Sequence, residues 1–169
     1  MSVQTETLNS FLSFRLGEEL FAANVSKVLE ILEIPKITKV PRSPSFMRGV
    51  INLRGNVLPV IDTRVKFGFP IVPDTVNSCI LVLNVLSEDK NIILGAVVDA
   101  VQEVMEIDNE AIQAVPSMGT KYKTEFISGM LKMGEDFIML LNLDLVFTSE
   151  EMSILEDVSK PENEKSENK

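Results

Sequence analysis

Short apolar segments separated by turn residues divide most of the chain into strands. The first five segments are "SFLSFRL", "ELFAA", "LEILEI", "GVINL" and "NVLPVI". A second set begins with "CILVLNVL" and continues with "IILGAVVD", "EVMEI", "ISGMLKM" and "DFIMLLN". Five short strands joined by hairpin turns are typical of a small antiparallel barrel. The pattern therefore predicts an all-β protein built from two five-stranded units.

The second half of the chain repeats the order of features in the first half. "VSKVLEILEI" (25–34) aligns with "VDAVQEVMEI" (98–107), and a Val-Pro pair follows each copy. "GVINLRGNVLPVIDTRVKF" (49–67) aligns with "GMLKMGEDFIMLLNLDLVF" (129–147) without a gap. Internal repeats of this kind indicate duplicated structural units. We therefore expect two tandem barrels.

Prolines and charged residues suggest where these units begin and end. The linker "FPIVPDTVNS" contains two prolines, so we expect one barrel in residues 10–72 and the second in residues 73–148. The following sequence, "TSEEMSILEDV", has Ser149 as a helix N-cap. It predicts a short C-terminal helix over residues 149–157 that packs on the barrels. Residues 158–169 have the composition of a mobile charged tail.

Residues 25–33 fit two structures. An apolar face at helical spacing could follow Asn24 as an N-cap, formed by Val25, Val28, Leu29 and Leu32. The run "LEILEI" also fits a strand, and periodicity alone leaves both structures open.

Composition and charge exclude several classes of function. The chain has 169 residues, is 45% hydrophobic and carries a formal charge of −9. Such a charge argues against nucleic acid as a partner, because that binding requires a cationic surface. No run reaches the roughly 18–20 apolar residues of a membrane span, and the N-terminus has no signal-peptide pattern. The single cysteine, Cys79, fits a reducing cytoplasm.

The absence of histidine excludes much enzyme chemistry. Without histidine and with one cysteine, the chain has no common zinc site and no histidine-activated nucleophile. It contains neither a P-loop nor a dinucleotide-binding pattern, so we expect no metal and no cofactor. The remaining enzymatic hypothesis is a hydrolase that uses two carboxylates among Asp62, Asp99 and Asp144. Nothing in the sequence places two of them together.

The first repeat contains an arginine that its hairpin does not require. In "GVINLRGNVLPVIDTR" (49–64), Arg54, Gly55 and Asn56 separate two apolar strands, and a Gly-Asn pair favours a tight turn. The second copy reads "KMGE" where the first reads "NLRG", so the hairpin forms without arginine. Pro59 is also absent from the second copy and indicates an edge strand or a bulge. Arg54 is therefore either a solvated turn residue or part of a docking surface.

The central segment "FMRGVINLRGNVLPVIDTRVKFG" resembles the signature of the CheW family, the coupling proteins of bacterial chemotaxis. The similarity runs from about Phe11 to about Asp157 and includes "SFLSFRLGEELFAANVSKVLEI", "GAVVDAVQEVMEI", "FISGM" and "SEEMSILED". Thr63 stands where leucine is usual. The resemblance implies two five-stranded SH3-like barrels, no enzymatic activity, and a short turn followed by a strand at residues 25–33.

Members of this family connect methyl-accepting chemotaxis receptors to the histidine kinase CheA, pairing with the kinase's own CheW-like regulatory domain. The resemblance thus implies these two partners and a cytoplasmic location at receptor arrays on the inner face of the membrane, without membrane insertion. It places the receptor-binding surface at Val28, Glu30, Asn52, Leu53, Arg54, Gly55 and Val57. It does not identify the kinase-binding residues.

Two alternatives stay open beside the receptor-binding hypothesis. Glu103 repeats Glu30 in the second copy, so Glu30 could have a structural role that both copies share. A protein of another class would use the barrel grooves to bind a small molecule or peptide without any kinase. Co-elution with CheA and with a receptor fragment would distinguish these functions.

Overall fold

A computed structural model of the chain describes residues 9–115 and 125–159. Strands dominate the described residues, which confirms the all-β prediction. The strands are β1 (Ser10–Leu16), β2 (Glu19–Asn24), β3 (Val28–Glu33), β4 (Met47–Leu53), β5 (Asn56–Asp62), β6 (Cys79–Ser87), β7 (Lys90–Val98), β8 (Ala100–Glu106), β9 (Ile112–Gln113), β10 (Ile127–Met133) and β11 (Asp136–Leu141). The helices are α1 (Thr63–Lys66) and α2 (Ser149–Ser159).

The ambiguous segment after β2 is a turn followed by a strand, as the family resemblance implied. Residues Val25–Lys27 form one 3-10 turn. The side-chain oxygen of Asn24 caps this turn by accepting a hydrogen bond from the Ser26 N–H at 2.9 Å. The apolar residues that fit a helical pattern are therefore divided between the turn and β3.

The strands form two curled sheets, which are two SH3-like barrels. Barrel I has the strand order β3-β6-β7-β5-β4. Barrel II has the order β8-β1-β2-β11-β10, and the two-residue strand β9 pairs with β10 at its edge. One parallel pairing joins the strands of each barrel, β5 with β7 in barrel I and β11 with β2 in barrel II.

Each half of the chain gives its first hairpin to the barrel of the other half. The β1–β2 hairpin lies between β8 and β11 in barrel II, and the β6–β7 hairpin lies between β3 and β5 in barrel I. Residues 10–72 and 73–148 therefore both contribute strands to both barrels, and neither range is a barrel by itself. A sequence repeat reveals the order of strands but not the sheet that each hairpin enters.

The largest apolar cluster holds the barrels together. It contains buried residues from both halves, including Phe14, Phe21, Leu81, Leu94, Leu141 and Phe147. Helix α2 adds Met152 and Leu155 to this cluster. The helix ends at Ser159 rather than at residue 157, and residues 160–169 of the predicted tail lie outside the described residues.

In each half, the segment that follows the third strand pairs with the first strand of the next hairpin. That strand is β4 in barrel I and β10 in barrel II. Thr38 forms an isolated bridge with Val50 of β4, and β9 pairs with β10 in the same place in barrel II. Gly49 permits the first approach, because a Cβ there would lie 2.2 Å from the carbonyl oxygen of Thr38. A Cβ on Gly129 would lie 2.4 Å from Ile112 Cγ2. Both glycines of the repeat therefore have a structural role.

Candidate partner-binding surface

The turn between β4 and β5 holds Arg54 in a strained backbone conformation. Leu53 pairs with Asn56, so the turn residues are Arg54 and Gly55, with φ of 51° and 88°. The expectation that Asn56 forms part of the turn is wrong, because Asn56 is the first residue of β5. A side-chain-bearing residue at such a φ costs roughly 1 kcal/mol. The second copy has Gly134, with φ of 64°, at the position of Arg54.

Arg54 binds Glu30 through two hydrogen bonds. Its Nη1 donates to Glu30 Oε2 and its Nη2 donates to Oε1, both at 2.7 Å. The hydrogen bond from Arg54 is the main reason that the pKa of Glu30 is lowered from its ordinary value. Glu30 lies on β3, one edge strand of barrel I, and Arg54 directly follows β4, the other edge strand. The pair therefore bridges the two edges of the barrel.

This ion pair has no counterpart in barrel II among the described residues. Glu103 of β8 occupies the repeat position of Glu30, but the residue opposite it in the repeat is Gly134 and not an arginine. The backbone N–H of Glu103 donates to Ser13 Oγ, and its carbonyl oxygen accepts from the same hydroxyl. These hydrogen bonds of Glu103 involve its main chain, whereas Glu30 binds Arg54 through its side chain.

Exposed apolar side chains are found on the same strands as the ion pair. Val57 is 47% exposed at the start of β5, and Leu29 and Ile31 on β3 are 50% and 48% exposed. Val28 and Leu53 are only half-buried and pack against the apolar clusters. The structure thus brings part of the predicted set together around the hairpin, while Val28 mainly supports the core.

Leu29 and Ile31 are surface residues that the sequence interpretation did not assign to the site. The sequence feature that could have identified them is the alternation in "LEILEI". In a strand it places Leu29 and Ile31 on one face and Glu30 and Leu32 on the other. The barrel interior takes Leu32. Because either face of an apolar strand can point inward, only the fold shows that Leu29 and Ile31 are exposed.

Pro59 lies in an interior strand, so the expected edge position is wrong. The other expected position, next to a bulge, is found, because the β4–β5 register shifts between Met47 and Gly49, one pair away from Pro59. Strand β5 pairs with β4 on one side and with β7 on the other. Val50, opposite Pro59, uses its N–H and carbonyl for Thr38, so Val50 and Pro59 are a non-hydrogen-bonded pair. Pairing between β5 and β7 begins only at Val60. The missing N–H of Pro59 therefore interrupts neither ladder.

The carboxylates of the hydrolase hypothesis each bind a cation. Arg64 is fully buried, and its guanidinium contacts Asp62 Oδ1 at 3.2 Å and Asp99 Oδ1 at 3.0 Å. The burial of Arg64 lowers its pKa, but the hydrogen bond from Arg64 to Asp62 and the charges of Asp62, Asp99 and Asp74 together outweigh that effect and raise it. Asp144 binds Lys27 Nζ at 2.9 Å. The pairs Arg64–Asp99 and Lys27–Asp144 connect the two halves, and Asp62 binds the same buried Arg64 from within the first half. All three carboxylates therefore have a structural role.

Other site types are not found in the part of the chain that the structure describes. Within residues 9–115 and 125–159, no three histidine, cysteine or acidic side chains come together in a way that could hold a metal ion. No helix in these ranges is both long enough and apolar enough to cross a membrane.

Known proteins with similar sequences and structures share one domain family. The family model described as "CheW-like domain" matches residues 10–151. Chemotaxis protein CheW of Klebsiella aerogenes is 35% identical, over 89% of this chain and 88% of that protein. Chemotaxis protein CheW of Rhizobium meliloti is also 35% identical, over 83% of this chain and 88% of that protein.

A solved structure supports the same relationship. The crystal structure of the scaffolding protein TtCheW from Thermoanaerobacter tengcongensis aligns with a TM-score of 0.73 and 33% sequence identity. The alignment covers 85% of this chain and 94% of that protein. Sequence and fold therefore agree over both barrels.

Proposed function

The chain belongs to the CheW-like domain family, and from this premise we propose that it is a non-enzymatic adaptor of bacterial chemotaxis. Support comes from relatives named as chemotaxis proteins and from a structural neighbour named as a scaffolding protein. The adaptor couples chemoreceptor cytoplasmic tips to the histidine kinase CheA, and so places the kinase under receptor control. It acts in the cytoplasm, at receptor arrays on the inner face of the membrane.

The receptor contact is centred on Arg54. The observation that carries this proposal is the Arg54–Glu30 pair, which is held at 2.7 Å on a turn that would be less strained with glycine. An arginine has five N–H donors, so the guanidinium can donate to a receptor group while it remains bound to Glu30. Val57, which pairs with Asn52 next to the turn, is exposed and supplies apolar contact on the same hairpin. Leu29 and Ile31 are exposed on the other face of β3. The pair thus orients a donor close to an exposed apolar side chain, a combination that suits protein recognition.

The kinase contact is a separate surface. In this proposal the adaptor binds the CheW-like regulatory domain of CheA through other exposed residues of barrel I and its junction with barrel II. Two separate contacts are required because an adaptor must hold both partners at the same time. A substitution at Arg54 should therefore leave kinase binding intact.

The test is an Arg54→Ala variant in a reconstituted mixture of receptor fragment, CheA and limiting adaptor. We expect loss of receptor-dependent kinase activation, with receptor binding weakened by about 1–3 kcal/mol through loss of a charge-assisted hydrogen bond. Pull-down with CheA alone should be unchanged. Lys132→Ala is the matched control, since Lys132 is an exposed cation beside the equivalent hairpin of barrel II. Full activation by Arg54→Ala at limiting concentration would contradict the receptor site.

A further inference from the structure

One loop of this acidic protein contains only basic charges. The basic loop, residues 35–48, has four cations and no acidic residue, although the chain as a whole carries a charge of −9. Arg48 forms an ion pair with Asp74. Lys36, Lys39 and Arg42 are exposed, and none of them takes part in an ion pair among the described residues.

Hydrogen bonds and prolines fix the backbone of the basic loop. Thr38 exchanges hydrogen bonds of 2.9 and 2.8 Å with Val50. The Ser43 hydroxyl donates to the carbonyl of Val40 at 2.8 Å, and Arg42 adopts a left-handed φ of 61°. Pro41 and Pro44 restrict the chain further. The three cations therefore extend from an ordered backbone, which reduces the entropy lost when a partner binds.

The second copy forms the same structural element without these charges. When the Val-Pro pairs are aligned, "KITKVPR" (36–42) lies over "AIQAVPS" (111–117). Ile112 and Gln113 pair with β10 as Thr38 pairs with Val50. Lys36 and Lys39 thus stand where the second copy has alanines. The segment of the second copy still pairs with its barrel. Their charges are not required for folding.

An open groove of about 330 Å³ lies against the basic loop. Its lining includes Lys39, Ser43, Met47 and Arg48 together with Ile71 of the linker. Ile71 is 73% exposed, so it offers an apolar contact in a groove whose charged lining residues are Lys39, Arg48 and the buried Asp62. Nucleic acid and anionic membranes present broad negative surfaces that would also meet the acidic remainder of this protein. A short acidic segment would meet only the loop.

We propose that the basic loop is a docking surface for an acidic segment of a partner protein. Carboxylates of the segment bind Lys36, Lys39 and Arg42, and one of its apolar side chains enters the groove beside Ile71. Arg54 follows the opposite end of β4, roughly 20 Å away at about 3.3 Å per residue. The basic loop thus adds a contact to the proposed adaptor function. The proposal depends on that function only for the identity of the partner.

The test uses a fluorescein-labelled peptide of six glutamates and two leucines, measured by fluorescence anisotropy. We expect saturable binding that weakens as NaCl is added, because salt screens exposed charges. A Lys36→Glu, Lys39→Glu, Arg42→Glu variant should bind at least about tenfold more weakly, because it replaces attraction by repulsion. A peptide with serine in place of leucine should also bind more weakly, since it cannot fill the groove.

Control variants distinguish the effect of the basic loop on peptide binding from the effects of total charge and of the receptor site. A variant with Arg15→Glu, Lys90→Glu and Lys132→Glu changes the total charge equally and should retain peptide binding. Arg54→Ala should also bind the peptide normally, so failure of either surface leaves the other testable. Circular dichroism verifies that each variant is folded.

Three results would overturn the proposal. The first is no saturable peptide binding by the unmodified protein. The second is equal loss of binding in the two triple variants, which would show a general effect of charge. The third is co-sedimentation with phosphatidylserine vesicles that only the loop variant loses, since this would make the loop a membrane-binding surface.

Discussion

The β4–β5 hairpin of barrel I and the β10–β11 hairpin of barrel II have similar strands but different surfaces. Each has, in its first strand, a glycine that lets another segment approach closely, and each has a two-residue turn. Barrel II places Gly134 where φ is positive, whereas barrel I places Arg54 there and binds it to Glu30. The comparison separates residues that the fold requires from residues that are available for binding partners.

The largest effect should come from separating the two halves. When residues 1–72 and 73–169 are produced as two chains, neither alone should unfold cooperatively, because each lacks the hairpin that the other supplies. Mixing them should restore a cooperative thermal transition. Cooperative unfolding of either isolated half would show that a half can form a complete barrel by itself.

The two structural glycines should differ in their tolerance of alanine. Gly49→Ala places a Cβ against a backbone oxygen at a φ of 147°, which should lower the free energy of unfolding by about 4 kcal/mol. Gly129→Ala mainly meets the side chain of Ile112, which can rotate away, so a smaller loss is expected. Urea denaturation of both variants measures the difference. Equal losses would contradict this account of the close approach in barrel I.

The ion pairs that join the halves offer a second comparison. Arg64→Ala leaves Asp62 and Asp99 without their buried partner and should cost about 3 kcal/mol. Lys27→Ala removes the related pair with Asp144, which is partly exposed, and should cost at most about 1 kcal/mol. Chemical denaturation near neutral pH measures both. A larger effect at Lys27 than at Arg64 would be inconsistent with this difference in burial.

Arg54→Gly makes the first turn resemble the second. Relief of the positive φ should offset the loss of this exposed ion pair, so the free energy of unfolding should change little. Receptor-dependent kinase activation should nevertheless fall, as is expected for Arg54→Ala. Strong destabilisation by this glycine would indicate that the turn requires arginine after all.

The smallest effect concerns the titration of Glu30. Arg54 lowers the pKa of Glu30, so any stability from the pair is present above the unfolded pKa of about 4.3 and is lost as pH falls through the lower folded value. NMR titration should find the pKa of Glu30 higher in Arg54→Gly than in the unmodified protein. An unchanged value would show that the pair does not persist in solution.

The sequence predicted strands well because apolar alternation and turn residues act locally. It could not predict the hairpin exchange, since β1 and β6 have the same pattern and either could complete either barrel. Internal comparison identified Arg54 as dispensable for the turn, and family resemblance named Glu30. The sequence could not decide between an edge and a bulge for Pro59, because the effect of its missing N–H depends on which neighbouring strand that position faces. The assignment of the partner-binding residues stays a prediction until the variants are measured.

The hairpin exchange also determines when each barrel can close during synthesis. Barrel I needs no residue beyond Val98, whereas the β1–β2 hairpin must wait for β11, which ends at Leu141. At roughly 10 residues per second on the ribosome, that hairpin emerges about 10 seconds before its last partner strand. Phe14 and Phe21 belong to this hairpin, so these apolar side chains are the earliest to need protection from aggregation. The barrel that carries Arg54 is thus complete in the nascent chain before the barrel that contains the first strand.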